Sequence, residues 1–296
     1  MAVFAPTHTT YILELKMKVH AKLALSLIAS ALVSTGAFAQ QMQMQMKPAQ
    51  DQQDAPVAMT ATSSAHGPIK NIVLVHGAFV GGAGWRPVYD ILTKDGYNVK
   101  LVQEPLTSFG EDVTATKRVL DREDGPVVLV GHSYGGAIIT EAGNDPHVKA
   151  LVYIAAHALD VGETEVSNGK KYPNSTKAVV KTPDGFLFLN PADYPADFAA
   201  DLPLKQAQFE ANAQMPTAAS VFSGEIPDPA WKTKPSWYMV AKSDKIINPD
   251  LERMYAARAH SHTVEIPGAS HSVYESHPKE VAALIEQAAQ HAQDQG

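Results

Sequence analysis

The stretch VVLVGHSYGG, from Val127 to Gly136, constrains the fold of this chain more than any other feature of its sequence. Four apolar residues lead into a glycine, a serine lies between two glycines, and a helical pattern follows. This order matches Gly-x-Ser-x-Gly in the strand–turn–helix context that the pattern requires. Such a turn is tight, so small residues must flank Ser133, and its hydroxyl is exposed at the end of the strand. We interpret Ser133 as a presented nucleophile; the alternative is a plain connecting turn.

Apolar runs and helical periodicities alternate on both sides of this stretch. Helical spacing occurs at 87–94, 110–123, 135–144, 249–259 and 278–290. The strand patterns between these segments are IKNIVLVHG, YNVKLVQEP, PVVLVG, VKALVYIAA, PSWYMVA and HTVEIPG. Alternation of this kind predicts an α/β fold, with a doubly wound, mostly parallel sheet and helices on both of its faces. Ligands of such sheets bind beyond the carboxyl ends of the strands.

Regular patterning fails between residues 157 and about 230, where Pro, Asp, Asn and Ala are frequent. A segment of that length is too long for a simple connection, and it predicts a lid over the binding site. Phe186 and Phe188 in this segment, and His76 at the end of the first strand, are candidates to line a substrate pocket. The alternative for the two phenylalanines is that they seat the lid on the sheet.

A serine hydroxyl is a weak nucleophile unless a base takes its proton and a third group orients that base. His271 lies in a loop after the last strand, and Asp244 lies a few residues beyond the preceding strand. Because both positions follow strand ends, we predict that they meet Ser133 at one edge of the sheet. Other residues of the right type fit these positions less well: Asp228, Asp250, His76, His132 and His277.

The glycine-rich loop VHGAFVGGAGW follows the first strand. It has neither the Gly-Lys-Ser/Thr of a phosphate-binding loop nor the acidic residue that follows a dinucleotide fingerprint. A tetrahedral oxyanion needs backbone N–H donors, and we predict them at Tyr134 and at Ala78 or Phe79.

Composition excludes several other kinds of chemistry. The chain contains no cysteine, which rules out disulfides, a thiolate nucleophile and Cys-ligated zinc. With 24 basic and 31 acidic residues the net charge is −7, which disfavours nucleic acid and anionic lipid as partners. His260 and His262 have no carboxylate partner in the sequence pattern, so we expect surface histidines rather than a metal site. The predicted chemistry requires no cofactor and no metal.

The N-terminus has the organisation of a secretory signal peptide. Lys16, Lys18 and Lys22 precede the apolar run LALSLIASALVSTGAFA, which ends in Ala-Phe-Ala at Ala39. We predict cleavage after this residue and export to the periplasm or the medium, with a membrane anchor as the alternative. Translation starts at either Met1 or Met17.

The segment after the predicted cleavage point is of low complexity. Residues 40–66 are rich in Gln and Met and predict a disordered tether. The folded domain is therefore expected at residues 67–296, with no stable membrane insertion after cleavage.

Four segments, taken in order, resemble the α/β-hydrolase fold superfamily: VHGAFVGGAGW, VGHSYGG, KSDKIINP and GASHSVYESHP. They are most similar to its serine esterase branch, which includes methylesterases and hydroxynitrile-lyase-like esterases. The resemblance covers about residues 69–290 and implies a catalytic set of Ser133, Asp244 and His271 beneath a lid. The lyase members carry a threonine and a lysine where this chain has Gly77 and Ser272, so cyanohydrin cleavage is disfavoured.

These observations together predict a serine hydrolase that cleaves small, mostly apolar carboxylic esters through an acyl-enzyme. Perhydrolysis, lactone cleavage or amide cleavage on the same three residues are the alternatives, followed by a non-catalytic ligand-binding protein. Ser133 argues against the branches of the superfamily that use an aspartate nucleophile.

Overall fold

The computed structural model of the protein describes residues 67–292. The predicted signal peptide and the Gln/Met-rich segment lie outside the described residues. Among residues 67–292, no helix has both the length and the apolar character needed to cross a bilayer.

Nine strands occur in the described part of the chain. They are β1 (Asn71–Val75), β2 (Asn98–Leu101), β3 (Val127–Ser133), β4 (Val148–Ala156), β5 (Val179–Lys181), β6 (Phe186–Leu189), β7 (Thr217–Ala218), β8 (Ser236–Ala241) and β9 (His262–Ile266). Six of them form one sheet in the order β2-β1-β3-β4-β8-β9, and every neighbouring pair is parallel. The chain reverses its direction across the sheet between β1 and β3, where folds of this type open a crevice for ligands.

Helices connect the parallel strands. They are α1 (Arg86–Lys94), α2 (Phe109–Leu120), α3 (Gly135–Ala142), α4 (Glu165–Lys171), α5 (Tyr194–Asp197), α6 (Leu204–Asn212), α7 (Pro249–Arg258), α8 (Val273–Ser276) and α9 (Pro278–His291), with 3₁₀ turns at Gly82–Trp85, Ala219–Ser223 and Ala230–Lys232. Capping residues mark some of the helix starts. Ser108, for example, accepts the Glu111 N–H at the start of α2.

Both faces of the sheet are buried. Successive side chains of a strand point to opposite faces, and Val73 of β1 packs in one apolar cluster with α2, α3 and α7. The next residue, Leu74, packs in a second cluster with α1 and α9. The predicted α/β fold, with a doubly wound parallel sheet and helices on both faces, is therefore confirmed.

The segment between β4 and β8 contains more structure than its sequence pattern indicates. It holds α4, α5 and α6 and a second, antiparallel sheet in the order β5-β6-β7. β5 has three residues and β7 has two, so neither is long enough to produce a recognisable alternation. This segment is called the insertion below.

Candidate active site

Ser133, His271 and Asp244 form one hydrogen-bonded line at the carboxyl edge of the sheet. Ser133 Oγ lies 2.8 Å from His271 Nε2, and His271 Nδ1 lies 2.5 Å from Asp244 Oδ2. Because an ionised carboxylate only accepts, Nδ1 carries the proton in this arrangement and Nε2 accepts from the serine hydroxyl. The three side chains come from the ends of β3, β8 and β9, which run parallel and finish at the same edge. They are almost completely buried.

The turn at Ser133 is sterically strained. Ser133 has φ of 56°, in the left-handed region that side chains other than glycine rarely adopt. Two glycines make the turn possible, because a Cβ on Gly131 would lie 2.5 Å from the Gly135 carbonyl oxygen, and one on Gly135 would lie 2.5 Å from the His76 carbonyl oxygen. The sequence thus holds Ser133 in a conformation that only this local packing permits.

Gly135→Ala is expected to destabilise the protein by about 2–3 kcal/mol, because the new methyl group meets backbone that cannot rotate away. Chemical denaturation measures the change. Gly110→Ala is the matched control: its Cβ would meet nothing within 4 Å, so its stability stays within about 1 kcal/mol of wild type. Equal stabilities for the two variants would contradict the assigned geometry of the turn.

Backbone amides hold the Asp244 carboxylate in position. Its Oδ1 accepts the N–H of Ile246 at 2.7 Å and that of Ile247 at 2.9 Å, which leaves Oδ2 for His271. The alternative acid Asp250 lies at the start of α7, where its side chain is exposed and pairs with Arg253. Only Asp244 of these two aspartates contacts the histidine.

A second carboxyl group, that of Glu252, lies beside Asp244 and has no signal in the sequence pattern. Glu252 is completely buried on α7, and its Oε2 accepts the Ala241 N–H at 3.0 Å. Burial, followed by the charge of Asp244, raises the pKa of Glu252 well above its ordinary value. The raised pKa favours the protonated, uncharged form of Glu252 in the folded protein.

Glu252→Gln is expected to stabilise the protein increasingly as the pH rises. An acid whose pKa is raised on folding contributes stability that is complete at low pH and is lost as the pH increases, whereas glutamine does not titrate. The advantage of the variant should grow by up to about 1.4 kcal/mol for each pH unit above the pKa of an unfolded glutamate.

Urea denaturation at pH 5, 7 and 9 measures this advantage. The exposed Glu280→Gln serves as the control, whose difference from wild type should not change with pH. An advantage of Glu252→Gln that stays constant or shrinks with pH would show that Glu252 is ionised in the folded protein.

His132 supports the loop that carries His271. Its Nε2 donates to the His271 carbonyl oxygen at 2.9 Å, and its ring lies 4.3 Å from that of Tyr274. Burial, followed by the proximity of His271, lowers the pKa of His132 well below its ordinary value, so the ring is neutral. His132 therefore contacts His271 through this carbonyl group and through its ring, whose centroid lies 4.7 Å from that of His271, and it makes no hydrogen bond to Ser133 Oγ.

The prediction that His76 lines the substrate pocket is wrong. The His76 ring is buried below the turn, where Nε2 accepts the Glu104 N–H at 3.0 Å and Nδ1 donates to the Gly77 carbonyl oxygen at 2.9 Å. These two hydrogen bonds use both ring nitrogens and turn the ring away from the cavity. Next to it, a Cβ on Gly77 would lie 2.7 Å from Ser133 Cβ, so the loop approaches Ser133 closely.

The three predicted oxyanion donors differ in their availability. The N–H of Phe79 already donates to Thr217 Oγ1 at 3.0 Å, so it does not face a reacting carbonyl in this structure. The N–H groups of Ala78 and Tyr134 have no acceptor among residues 67–292. The Tyr134 side chain is anchored by a 2.8 Å hydrogen bond to Asp112, which fixes the residue that follows Ser133.

A cavity of about 510 Å³ opens above Ser133. The insertion supplies most of its wall, and the remaining lining residues are Ala78, Phe79, Ser133, Ile246, Ile247, Asn248 and Leu251. Phe186 and Phe188 do not line this cavity, contrary to prediction, because they lie on β6 and alternate with Leu187 and Leu189. Those two leucines face the cavity instead. The sequence pattern failed at this point because it did not indicate a strand.

A separate cavity of about 380 Å³ lies between Phe79, Tyr194, Phe209 and Tyr274. None of the three residues of the hydrogen-bonded line borders it, so we assign the chemistry to the larger cavity.

Comparison with known proteins agrees with this architecture. Residues 72–284 match the model of the alpha/beta hydrolase family. The chain belongs to this family. Membership confirms the resemblance drawn from the sequence and the prediction of a hydrolase.

Characterised relatives of this alpha/beta hydrolase include esterases. A carbendazim hydrolyzing esterase from Nocardioides sp. is 35% identical over 108 residues, which cover 32% of this chain and 45% of that esterase. Methylesterase 18 from Arabidopsis thaliana is 26% identical over 261 residues, which cover 74% of this chain and 97% of the relative.

Solved structures share the fold. A pyrethroid hydrolase from Sphingobium faniae superposes with a TM-score of 0.65 at 21% identity, covering 77% of this chain and 98% of that one. Polyneuridine aldehyde esterase gives a TM-score of 0.63 at 17% identity, covering 74% of this chain and 98% of that one.

Proposed function

We propose that this alpha/beta hydrolase is a serine esterase that cleaves small carboxylic esters through an acyl-enzyme. The observation that carries the proposal is the line from Ser133 Oγ through His271 to Asp244, which lies at the floor of a cavity. Supporting it, relatives of the chain include a carbendazim hydrolyzing esterase and a methylesterase.

In the acylation half of the proposed reaction, Ser133 Oγ attacks the ester carbonyl carbon while its proton moves to His271 Nε2. The developing oxyanion accepts from the free N–H groups of Ala78 and Tyr134. Asp244 holds the imidazole in the required tautomer and stabilises its charged form. The tetrahedral intermediate then collapses, and the leaving alcohol takes the proton from His271.

In the deacylation half, water attacks the acyl carbon with His271 as the base. The carboxylic acid leaves, the proton returns to Ser133, and the enzyme is regenerated. Asp244 holds the His271 ring in the same orientation in both halves of the reaction, because Asp244 Oδ1 is fixed by two backbone amides.

The lining of the cavity supports ester substrates of modest size. Apolar side chains from the insertion, from α7 and from the loop before α7 form much of the wall, including Val179, Leu187, Leu189, Phe222, Ile247 and Leu251. A cavity of about 510 Å³ has room for an acyl group and a small alcohol but not for a polymer chain. We propose that the insertion acts as the lid of this cavity.

The experiment for this proposal is a panel of 4-nitrophenyl esters of acetic to decanoic acid, with the matching 4-nitroanilides for amide cleavage. We expect turnover of the esters, with a maximum at an intermediate chain length set by the cavity, and anilide rates at least about 100-fold lower. A correctly folded protein that turns over none of the esters would overturn the proposal. Faster anilide than ester turnover would favour an amidase.

We also propose that the protein is exported and cleaved after Ala39, on the strength of the lysines and the apolar run that precede that residue. N-terminal sequencing of the protein recovered from the periplasm or the medium is expected to begin at Gln40. Recovery of a chain that retains Leu23 would contradict cleavage.

A further inference from the structure

Two polar side chains of the ester cavity have no role in the proposed chemistry. His157 and Glu165 both line the cavity that contains Ser133, and both are more than nine-tenths buried. His157 follows β4 directly, and its backbone N–H donates to the Ser133 carbonyl oxygen at 3.1 Å. A polar pair therefore lies next to the nucleophile in a cavity whose other walls are largely apolar.

A chain of hydrogen bonds fixes the tautomer of His157. Arg258 and Asn168 both donate to the Glu163 carboxylate. The NH₂ group of the Asn168 amide, and not its oxygen, therefore faces Glu163. The same NH₂ group donates to Tyr255 Oη at 3.0 Å, and Tyr255 Oη lies 3.2 Å from His157 Nδ1. Tyr255 Oη has no other hydrogen-bond partner among the described residues, so its own buried proton is satisfied only when it points to His157 Nδ1.

The consequence is a proton donor that faces the cavity. With Nδ1 accepting from Tyr255, the proton of the neutral His157 ring must lie on Nε2. The nearest polar partner is Glu165 Oε2 at 3.3 Å. Burial, followed by the proximity of the His271 imidazole, lowers the pKa of His157 to about 3, so the His157 ring is neutral at neutral pH.

The Glu165 carboxyl contributes a second proton. Burial raises its pKa well above the ordinary value of a glutamate, so the group is a neutral acid. Its Oε1 has no hydrogen-bond partner among the described residues. Lys170 and Lys177 also line the cavity, and with a neutral Glu165 the cavity offers no anionic partner to a cationic substrate. The pair therefore suits an oxygen that accepts hydrogen bonds.

We propose that His157 and Glu165 form a hydrogen-bonding subsite, and that the preferred esters carry a second, uncharged acceptor oxygen beyond the scissile group. This inference rests on the proposed esterase function and narrows its substrate class. Glu165 Oε1 has no hydrogen-bond partner among the described residues, and an ester without the second oxygen leaves this group unpaired, so such an ester is disfavoured even though it fits the cavity by shape.

An oxygen scan of one acyl chain tests the proposal. The probes are 4-nitrophenyl hexanoate and its three analogues in which oxygen replaces the methylene at position 3, 4 or 5. Each kcat/KM is divided by the rate constant of the same ester with hydroxide, which removes differences in intrinsic reactivity. We expect the best oxa-ester to exceed hexanoate by at least about tenfold, the factor typical of one buried hydrogen bond.

Three variants test whether the preference for the oxa-ester arises from the subsite of His157 and Glu165. His157→Leu removes the donor and should reduce the preference below about threefold, while His157→Gln supplies an amide N–H and should restore part of it. Tyr255→Phe leaves the His157 ring in place but removes the hydrogen bond that fixes its tautomer. The preference of this variant for the oxa-ester should therefore be intermediate. A wild-type preference below about threefold at all three positions overturns the proposal without any variant, as does a stronger preference for an ester that carries an ammonium group.

Calorimetry on Ser133→Ala distinguishes the subsite from the proposed esterase function, because it measures the affinity for esters that this variant does not cleave. Tighter binding of the oxa-ester with no turnover by wild type would support the subsite and refute the esterase. Equal affinities for the oxa-ester and hexanoate, with normal turnover by wild type, would refute the subsite alone.

Discussion

Ser133→Ala is expected to lower kcat/KM for 4-nitrophenyl esters by about 10⁴- to 10⁶-fold, which leaves only the contribution of binding and of the backbone donors. The reason is structural: no other hydroxyl group is within hydrogen-bonding distance of His271 Nε2 among the described residues. The backbone at residue 133 has φ of 56°, so alanine is no more strained there than serine. The protein should therefore fold normally.

Steady-state kinetics on purified wild type and Ser133→Ala measure the loss, with circular dichroism to check the fold. Ser223→Ala, an exposed serine of the insertion, is the matched control and should retain wild-type kcat/KM within about twofold. Activity of Ser133→Ala within about tenfold of wild type would mean that another group attacks the ester.

Asp244→Asn has the second largest expected effect, a decrease of about 10⁴-fold in kcat. Oδ1 accepts from two backbone amides, so the amide oxygen of asparagine takes that place and its NH₂ group faces His271. A donor at this position forces Nδ1 to accept, which moves the ring proton to Nε2, where it blocks proton transfer from Ser133. Because the volume hardly changes, the loss comes from the tautomer.

The control for this variant is Asp250→Asn, which alters an exposed aspartate at the start of α7 and should leave kcat within about twofold of wild type. The loss in Asp244→Asn should shrink at alkaline pH, where hydroxide replaces part of the role of the base. A decrease below about 100-fold would indicate that a different acid, such as Glu252, orients His271.

The sequence predicted the fold because its periodicities are long and its sheet is parallel. Once the strands before Ser133, Asp244 and His271 were identified, parallel topology required their carboxyl ends to lie at one edge. No knowledge of side-chain packing was needed for that step. The sequence also predicted the tight turn, since Gly131 and Gly135 occupy the two positions where a Cβ would clash with the backbone.

The errors arose where local pattern does not determine side-chain direction. His76 directly follows β1, a position from which a side chain can enter the pocket. Its ring nitrogens instead form hydrogen bonds with the backbone of Gly77 and Glu104. The aromatic character of Phe186 and Phe188 predicts a place in the pocket, whereas the pleat of a four-residue strand turns their neighbours to the cavity. A shift of one residue in the register of a strand turns every side chain to the other face. A strand of four residues is too short for its sequence pattern to show which face each side chain occupies.

Glu252, His157 and Glu165 had no signal in the sequence. Each is a charged or titratable residue in a segment whose pattern indicates only a helix or a loop. Their importance comes from burial beside Asp244 or Ser133, which depends on how α7 and the insertion pack on the sheet. Long-range packing of this kind is a property of the folded molecule.

A covalent acyl-enzyme on Ser133 can be detected by mass spectrometry of the protein quenched in acid during turnover of 4-nitrophenyl acetate. We predict a single added acetyl group, located by peptide mapping to the peptide that contains Ser133, and no added mass in Ser133→Ala. Unmodified wild-type protein during rapid turnover, or an acetyl group located at another residue, would show that Ser133 does not form an acyl-enzyme.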